Sequence, residues 1–101
     1  MSKVKAQLAS IGAMIKNVKA LIDLRILQFS ETEPNAYLFR ELWYNKDRRF
    51  KLEFCKNLLT YWHISRQTSI DQLQEYTLAV FDKETGDLMA TYHMKNGLYV
   101  V

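Results

Sequence analysis

Tyr76–Val101 reads YTLAVFDKETGDLMATYHMKNGLYVV, and the period of this stretch decides the fold. Tyr76, Leu78 and Val80 alternate with Thr77, Ala79 and Phe81, the two-residue repeat of a strand. Beyond the polar run Asp82–Asp87, the residues Leu88, Ala90, Tyr92 and Met94 alternate with Met89, Thr91 and His93. Gly86 supplies the positive φ that a bulged turn between the two strands requires. Asn96-Gly97 is a two-residue hairpin signal, and Leu98–Val101 returns as a third strand. The chain is therefore expected to finish in a three-stranded antiparallel meander. Such a sheet is stable only with one face covered.

The cover is expected from upstream. Val4, Leu8, Ile11, Ile15, Val18, Ile22, Ile26 and Phe29 follow one another at steps of four or three, so they form one stripe on a helix running from Ser2 to Phe29. Ala6, Ala9, Ala13 and Ala20 lie opposite, where small side chains let a second element approach. The stripe imitates a coiled-coil seam over too few heptads to establish one, and the domain's own core is its first destination.

Between helix and meander, Ser30-Glu31-Thr32-Glu33 matches a capping box, with Pro34 tolerated in the first turn of a second helix reaching Tyr44. Leu38 and Leu42 are one turn apart there. Asn45-Lys46-Asp47 breaks the pattern, and Asp47 is the expected N-cap of a third helix, Arg48 to Ser65. That helix puts Phe50, Leu52, Phe54, Cys55, Leu58, Leu59, Tyr61 and Trp62 on one apolar half. A rival reading makes Tyr37–Tyr44 and Arg49–Cys55 a hairpin, because Arg49–Phe54 alternates; the alternation fails at Cys55-Lys56-Asn57 while the helical spacing continues to Trp62. Ser69–Gln72 is another capping box, opening a short turn to Glu75. The expectation is a single α+β domain over residues 1–101. In it a long N-terminal amphipathic helix and one or two shorter helices pack on a C-terminal three-stranded meander, the first helix providing most of the cover.

Composition narrows the function. With 49% apolar and 25% charged residues and one proline, the chain is neither disordered nor low in complexity. No charge-free stretch approaches the length of a membrane span. Lys3 and Lys5 before Leu8–Ile15 resemble a signal peptide only faintly, with no cleavage site, so a cytoplasmic protein is expected. The lone Cys55 cannot form an internal disulfide and fits a reducing compartment; its neighbours Phe54, Leu58 and Leu59 mark it as a small core residue. His63 and His93 lie in different elements. HExxH and CxxC spacings are absent, and Gly12, Gly86 and Gly97 are isolated. A non-catalytic protein without metal or cofactor is expected.

What remains is binding. The net charge of +3 is uneven: Met1–Lys56 holds eleven Lys/Arg against six Asp/Glu, and Asn57–Val101 holds three against five. The leading expectation is a small interaction or regulatory module that docks to a protein partner or to its own copy. Contact through the first helix would use Ile11, Ile15, Val18 and Ile22. Contact through the last strand would use Leu98, Tyr99, Val100 and Val101, a short apolar edge with no charge to block a partner. The alternative is nucleic-acid binding through Trp43, Lys46, Arg48, Arg49, Lys51 and Lys56, where cations meet phosphates and aromatics stack on bases. Helices followed by a hairpin resemble the general plan of a winged helix. Against that, Ser69–Glu75 carries Asp71 and Glu75 where a recognition helix would need cations, and the Lys83–Asp87 tip is net acidic. A membrane-surface role for the first helix is not expected, since its stripe is needed as cover.

Overall fold

The computed structural model describes residues 3–66 and 75–101, with side chains of the first helix described from Gly12 onward. The Ser69–Gln72 capping box lies outside the described residues.

The first helix, α1 (Lys3–Asp23), stops six residues before the stripe does. Its end is a Schellman closure. Arg25 takes a left-handed φ of 61°, its N–H donates to the Ile22 carbonyl, and the Ile26 N–H donates to the Leu21 carbonyl, each at 3.0 Å. Leu27–Phe29 then forms β1. The expected helix to Phe29 is thus corrected: Ile26 and Phe29 hold the same apolar spacing but pack against the core from an extended chain.

Asn35–Leu38 is strand β2, not the first turn of a helix. Ser30–Glu33 is the connection of a β1–β2 hairpin, closed by the Ser30 N–H on the Asn35 carbonyl at 3.0 Å. Local capping loses here because β2 lies between two strands, so both of its edges gain ladder hydrogen bonds, and Ala36 and Leu38 are buried at once. Of the expected second helix only the turn α2 (Glu41–Tyr44) forms. The rival hairpin is also corrected: β2 is indeed extended, but its partners are β1 and a strand forty residues on.

The third helix, α3 (Arg48–Ser65), has the expected bounds. Asp47 caps it, accepting from the Phe50 N–H at 2.8 Å. The meander follows as β3 (Thr77–Asp82), β4 (Leu88–His93) and β5 (Gly97–Val100). The β4–β5 connection is a three-residue loop, Met94–Asn96, with Gly97 at φ 84° pairing with His93, rather than a two-residue Asn96-Gly97 turn. The His93 Nδ1 accepts the Lys95 and Asn96 N–H groups and so fills the loop's spare donors.

The meander is three-fifths of the sheet. The observed order is β1-β2-β3-β4-β5, antiparallel throughout except for parallel β2 and β3, which α3 links as a crossover. The main cover is α3 rather than α1. At its start Arg48 donates to the Leu98 carbonyl in β5, and at its end the Trp62 indole N–H and the Arg66 guanidinium both donate to the Ser30 carbonyl just past β1. A helix of eighteen residues spans about 27 Å, enough to cross five strands spaced about 4.8 Å apart. α3 therefore bridges the two edges of the sheet. Its Cys55, Leu58 and Leu59 meet Leu27, Ala36, Leu38, Leu78, Val80, Ala90 and Leu98 in one core, and α1 closes the side of it with Val18.

Candidate functional site

All of that cover lies on one face. Side chains alternate along a strand and registered partners share a face, so the core positions fix the opposite set. Gln28 in β1 registers with Tyr37 in β2, Tyr37 with Phe81 in β3, Phe81 with Leu88 in β4, and Thr91 in β4 with Tyr99 in β5. Asn35, Ala79, Thr77 and His93 complete this second face. None of these residues is Asp, Glu, Lys or Arg. Among the described residues, neither α1, α2 nor α3 covers it.

The face is aromatic at its centre. The Tyr37 and Phe81 rings stack with centroids 5.3 Å apart at 21°, a consequence of the parallel β2–β3 pairing. Leu88 is 40% exposed, Tyr99 74% and Val101 78%. The register slips between Val80 and Phe81, so Met89 leans back toward the core, while Leu88, registered with Phe81, stands at the margin of the face and lines a cleft with Arg40, Trp43 and Lys51. Lys83, just past β3, marks the corner. Its ammonium lies 5.2 Å from the Phe39 ring centroid and donates to the Arg25 carbonyl.

The residues singled out for protein contact divide. Val18 is 2% exposed and belongs to the core, so it has no surface to offer a partner; Ile22 packs against that core and Ile15 is half-buried. The Ile11 side chain lies outside the described residues. In the last strand Leu98 is buried and Val100 packs against the core, Tyr99 stands on the open face, and the exposed Val101 lines the cleft beside Arg40, Trp43 and Lys51. The outer edge of β5 is partly occupied. The Val101 N–H bonds Met89 across the ladder, so by alternation the Leu98 and Val100 backbone groups point outward, and Arg48 takes the Leu98 carbonyl at 2.8 Å.

The basic segment is engaged within its own fold. Trp43 is 3% exposed, with the Lys51 ammonium 5.3 Å from its ring centroid. Lys46 sits 5.2 Å from the Phe50 ring centroid, Lys56 pairs with Glu53 at 3.5 Å, and Arg48 is on Leu98. Arg49 is exposed. A cleft of about 300 Å³ joins parts of both sets: Arg40, Trp43 and Lys51 on one wall, Asp82, Asp87 and Val100 on the other. Its opposed charges give no single-signed field for a polyanion. The Asp82 carboxylate is already used, accepting the Glu84 N–H at 2.9 Å within the β3–β4 turn.

Burial pushes the Cys55 thiol up to about 12, which keeps it a thiol rather than a nucleophilic thiolate at neutral pH. Burial also lowers His63 below its ordinary value, in a nest where its ring centroid lies 5.3 Å from Trp62 and 4.8 Å from Tyr76. Among the described residues, no three His, Cys, Asp or Glu side chains converge as metal ligands, and no helix is long and apolar enough to cross a membrane. No protein-family model, curated protein or solved structure matches the chain.

Tyr37, Phe81, Leu88 and Thr91 were not among the residues expected to bind. The alternation of Thr77, Ala79 and Phe81 with Leu78 and Val80 was a signal for half of this face. Tyr37 could join it only through a pairing that no local pattern announces.

Proposed function

We propose that this protein is a small non-catalytic docking module whose contact surface is the open face of its sheet. The observation that carries the reading is the composition of that face: aromatic at Tyr37, Phe81 and Tyr99, with Tyr99 74% exposed and Tyr37 and Phe81 half-buried, neutral at every strand position, and opposite the core that α1 and α3 close. A contiguous exposed apolar patch is the mark of an interaction surface, and Tyr and Phe are the side chains most enriched at such contacts. Within the described part of the helix stripe, Val18 is in the core and Ile22 packs against it, and in the basic segment Lys46 and Lys51 lie over aromatic rings, Arg48 donates to backbone and Lys56 pairs with Glu53.

Hydroxyl-radical footprinting tests the reading. The purified protein at low concentration should be oxidised readily at Tyr99, which is 74% exposed. In an extract of the cells that make it, Tyr99 should be protected while the exposed Tyr44, on α2, is not. Equal oxidation of Tyr99 in both conditions would remove the sheet face as a docking surface.

A further inference from the structure

We infer that the cleft between α2, the first turn of α3 and the rim of the sheet binds a free zwitterionic α-amino acid with an apolar side chain; this second site goes beyond the docking reading and does not depend on it. Its position comes from the topology. β2 and β3 are parallel, and β5 runs with them because β4 runs against both β3 and β5. Arg40 follows the end of β2, Asp82 ends β3 and Val100 ends β5, so three carboxyl ends meet at this cleft. The carboxyl ends of parallel strands are where open α/β sheets collect ligands, because the chain leaves the sheet there and opens a crevice.

The charges choose the ligand. On one wall the Arg40 guanidinium lies 4.8 Å from the Tyr44 ring centroid, and the Lys51 ammonium lies 5.3 Å from that of Trp43. Contact with a ring face leaves N–H donors unspent, and among the described residues neither cation makes a side-chain hydrogen bond or an ion pair. On the other wall Asp82 is 6% exposed. One of its carboxylate oxygens accepts the Glu84 N–H; among the described residues the other accepts no hydrogen bond, and no cation pairs with the group. A buried carboxylate short of partners is costly, and a bound ammonium supplies both donor and counter-charge. Asp87 adds a second carboxylate, and Met89 and Val100 line the cleft with apolar surface. A metal ion would meet Arg40 and Lys51, a phosphate would meet Asp82 and Asp87, and a neutral apolar molecule would strip water from all four. A carboxylate and an ammonium on one carbon answer both walls. The cleft holds about 300 Å³, at the small end of ligand cavities, which suits one amino acid rather than a peptide.

Titration of the isotope-labelled full chain with L-leucine and L-phenylalanine, followed by amide and indole NMR, tests the inference. A ligand this small in a half-open cleft should bind with a Kd of roughly 0.1–1 mM, so the titration runs to about 20 mM. The expected result is saturable shifts at the Asp82, Met89 and Val100 amides and at the Trp43 indole, while the Trp62 indole, on the Ser30 carbonyl, stays in place. N-acetyl-leucine keeps the carboxylate and loses the ammonium, and leucinamide does the reverse; each should bind at least ~10-fold more weakly than leucine. Asp82→Asn keeps an acceptor for the Glu84 N–H without the charge, and Lys51→Met keeps a stem over Trp43 without the ammonium; each should weaken leucine at least ~10-fold. No saturable shift in the wild-type chain would overturn the inference. So would N-acetyl-leucine or leucinamide bound as tightly as leucine, since one wall would then go unread, or tri-leucine bound more tightly, since the ligand would then be a peptide. The derivatives are compared on the wild-type chain, so they decide even if Asp82→Asn does not fold.

Discussion

The Arg48 guanidinium donates to the carbonyl of Leu98, fifty residues away, and so ties the first turn of α3 to the outer edge of β5. A hydrogen bond from a charged donor contributes about 1 kcal/mol net when partly exposed. Arg48→Ala should lower stability by about that amount, shifting the thermal midpoint down by roughly 4–8 °C for a domain of this size. It should also speed amide exchange at Val101, whose N–H bonds the Met89 carbonyl across the ladder. An unchanged melt would mean that the contact does not persist in solution.

Arg25 should be a stabilising site for substitution. It holds φ at 61°, where a side chain costs about 1 kcal/mol and glycine nothing. Arg25→Gly keeps the backbone carbonyl that Lys83 contacts, and should raise the urea midpoint by an amount worth roughly 0.5–1 kcal/mol. Arg25→Val, branched at Cβ, should lower it.

Stability should fall as the solution is acidified through His63. Its folded pKa is lowered by burial below the unfolded value of 6.5, so between the two the unfolded chain binds a proton that the native chain does not. The contribution is fully present above 6.5 and is lost progressively as pH drops toward the folded pKa. Melting curves from pH 7.5 to 5.5 should show this decline. His63→Phe, which keeps a ring against Trp62 and Tyr76, should flatten it.

Cys55 should be silent in the native state. With its thiol pushed up to about 12 and no exposed surface, it should not react with an aromatic disulfide reagent at pH 8 on the timescale of minutes. Reaction should follow unfolding, so its rate in rising urea reports the opening of the core. Fast labelling without denaturant would place the thiol at the surface.

Oligonucleotide binding should be weak and carried by charge alone. Anisotropy titrations with single- and double-stranded probes should show nothing saturable at physiological salt, because Trp43 is buried. Saturable binding abolished by Arg49→Glu would restore the basic segment as the site.

Half of this architecture could be read from local pattern, and the division follows range. α3 was legible because Asp47 caps it and its apolar residues repeat over five turns. The meander was legible because its strands are neighbours in sequence. β1 hid because Ile26 and Phe29 prolong the α1 stripe, and only the left-handed Arg25 breaks it. β2 hid because Ser30–Glu33 is a capping box by composition and a hairpin connection by tertiary choice. The same gap concealed the docking face. Of Leu98, Tyr99, Val100 and Val101, expected from the last strand alone, Tyr99 falls on this face, but the Tyr37–Phe81 stack exists only through a pairing that spans α3.

That parallel pairing has a kinetic consequence. β1–β2 and β3–β4–β5 are each local hairpins, and among the described residues the parallel β2–β3 pairing, with Ala36 registered on Val80, is the seam that makes them one sheet. At synthesis rates of roughly 5–20 residues per second, β2 waits roughly 2–8 s after leaving the ribosome before β3 follows it. In that interval α3 can already form, yet the inner edge of β2 has nothing to pair with. Closing the seam requires the long loop first, so it is the slow, high-contact-order step of folding, and the nascent chain is most open to mispairing just before residue 77 emerges.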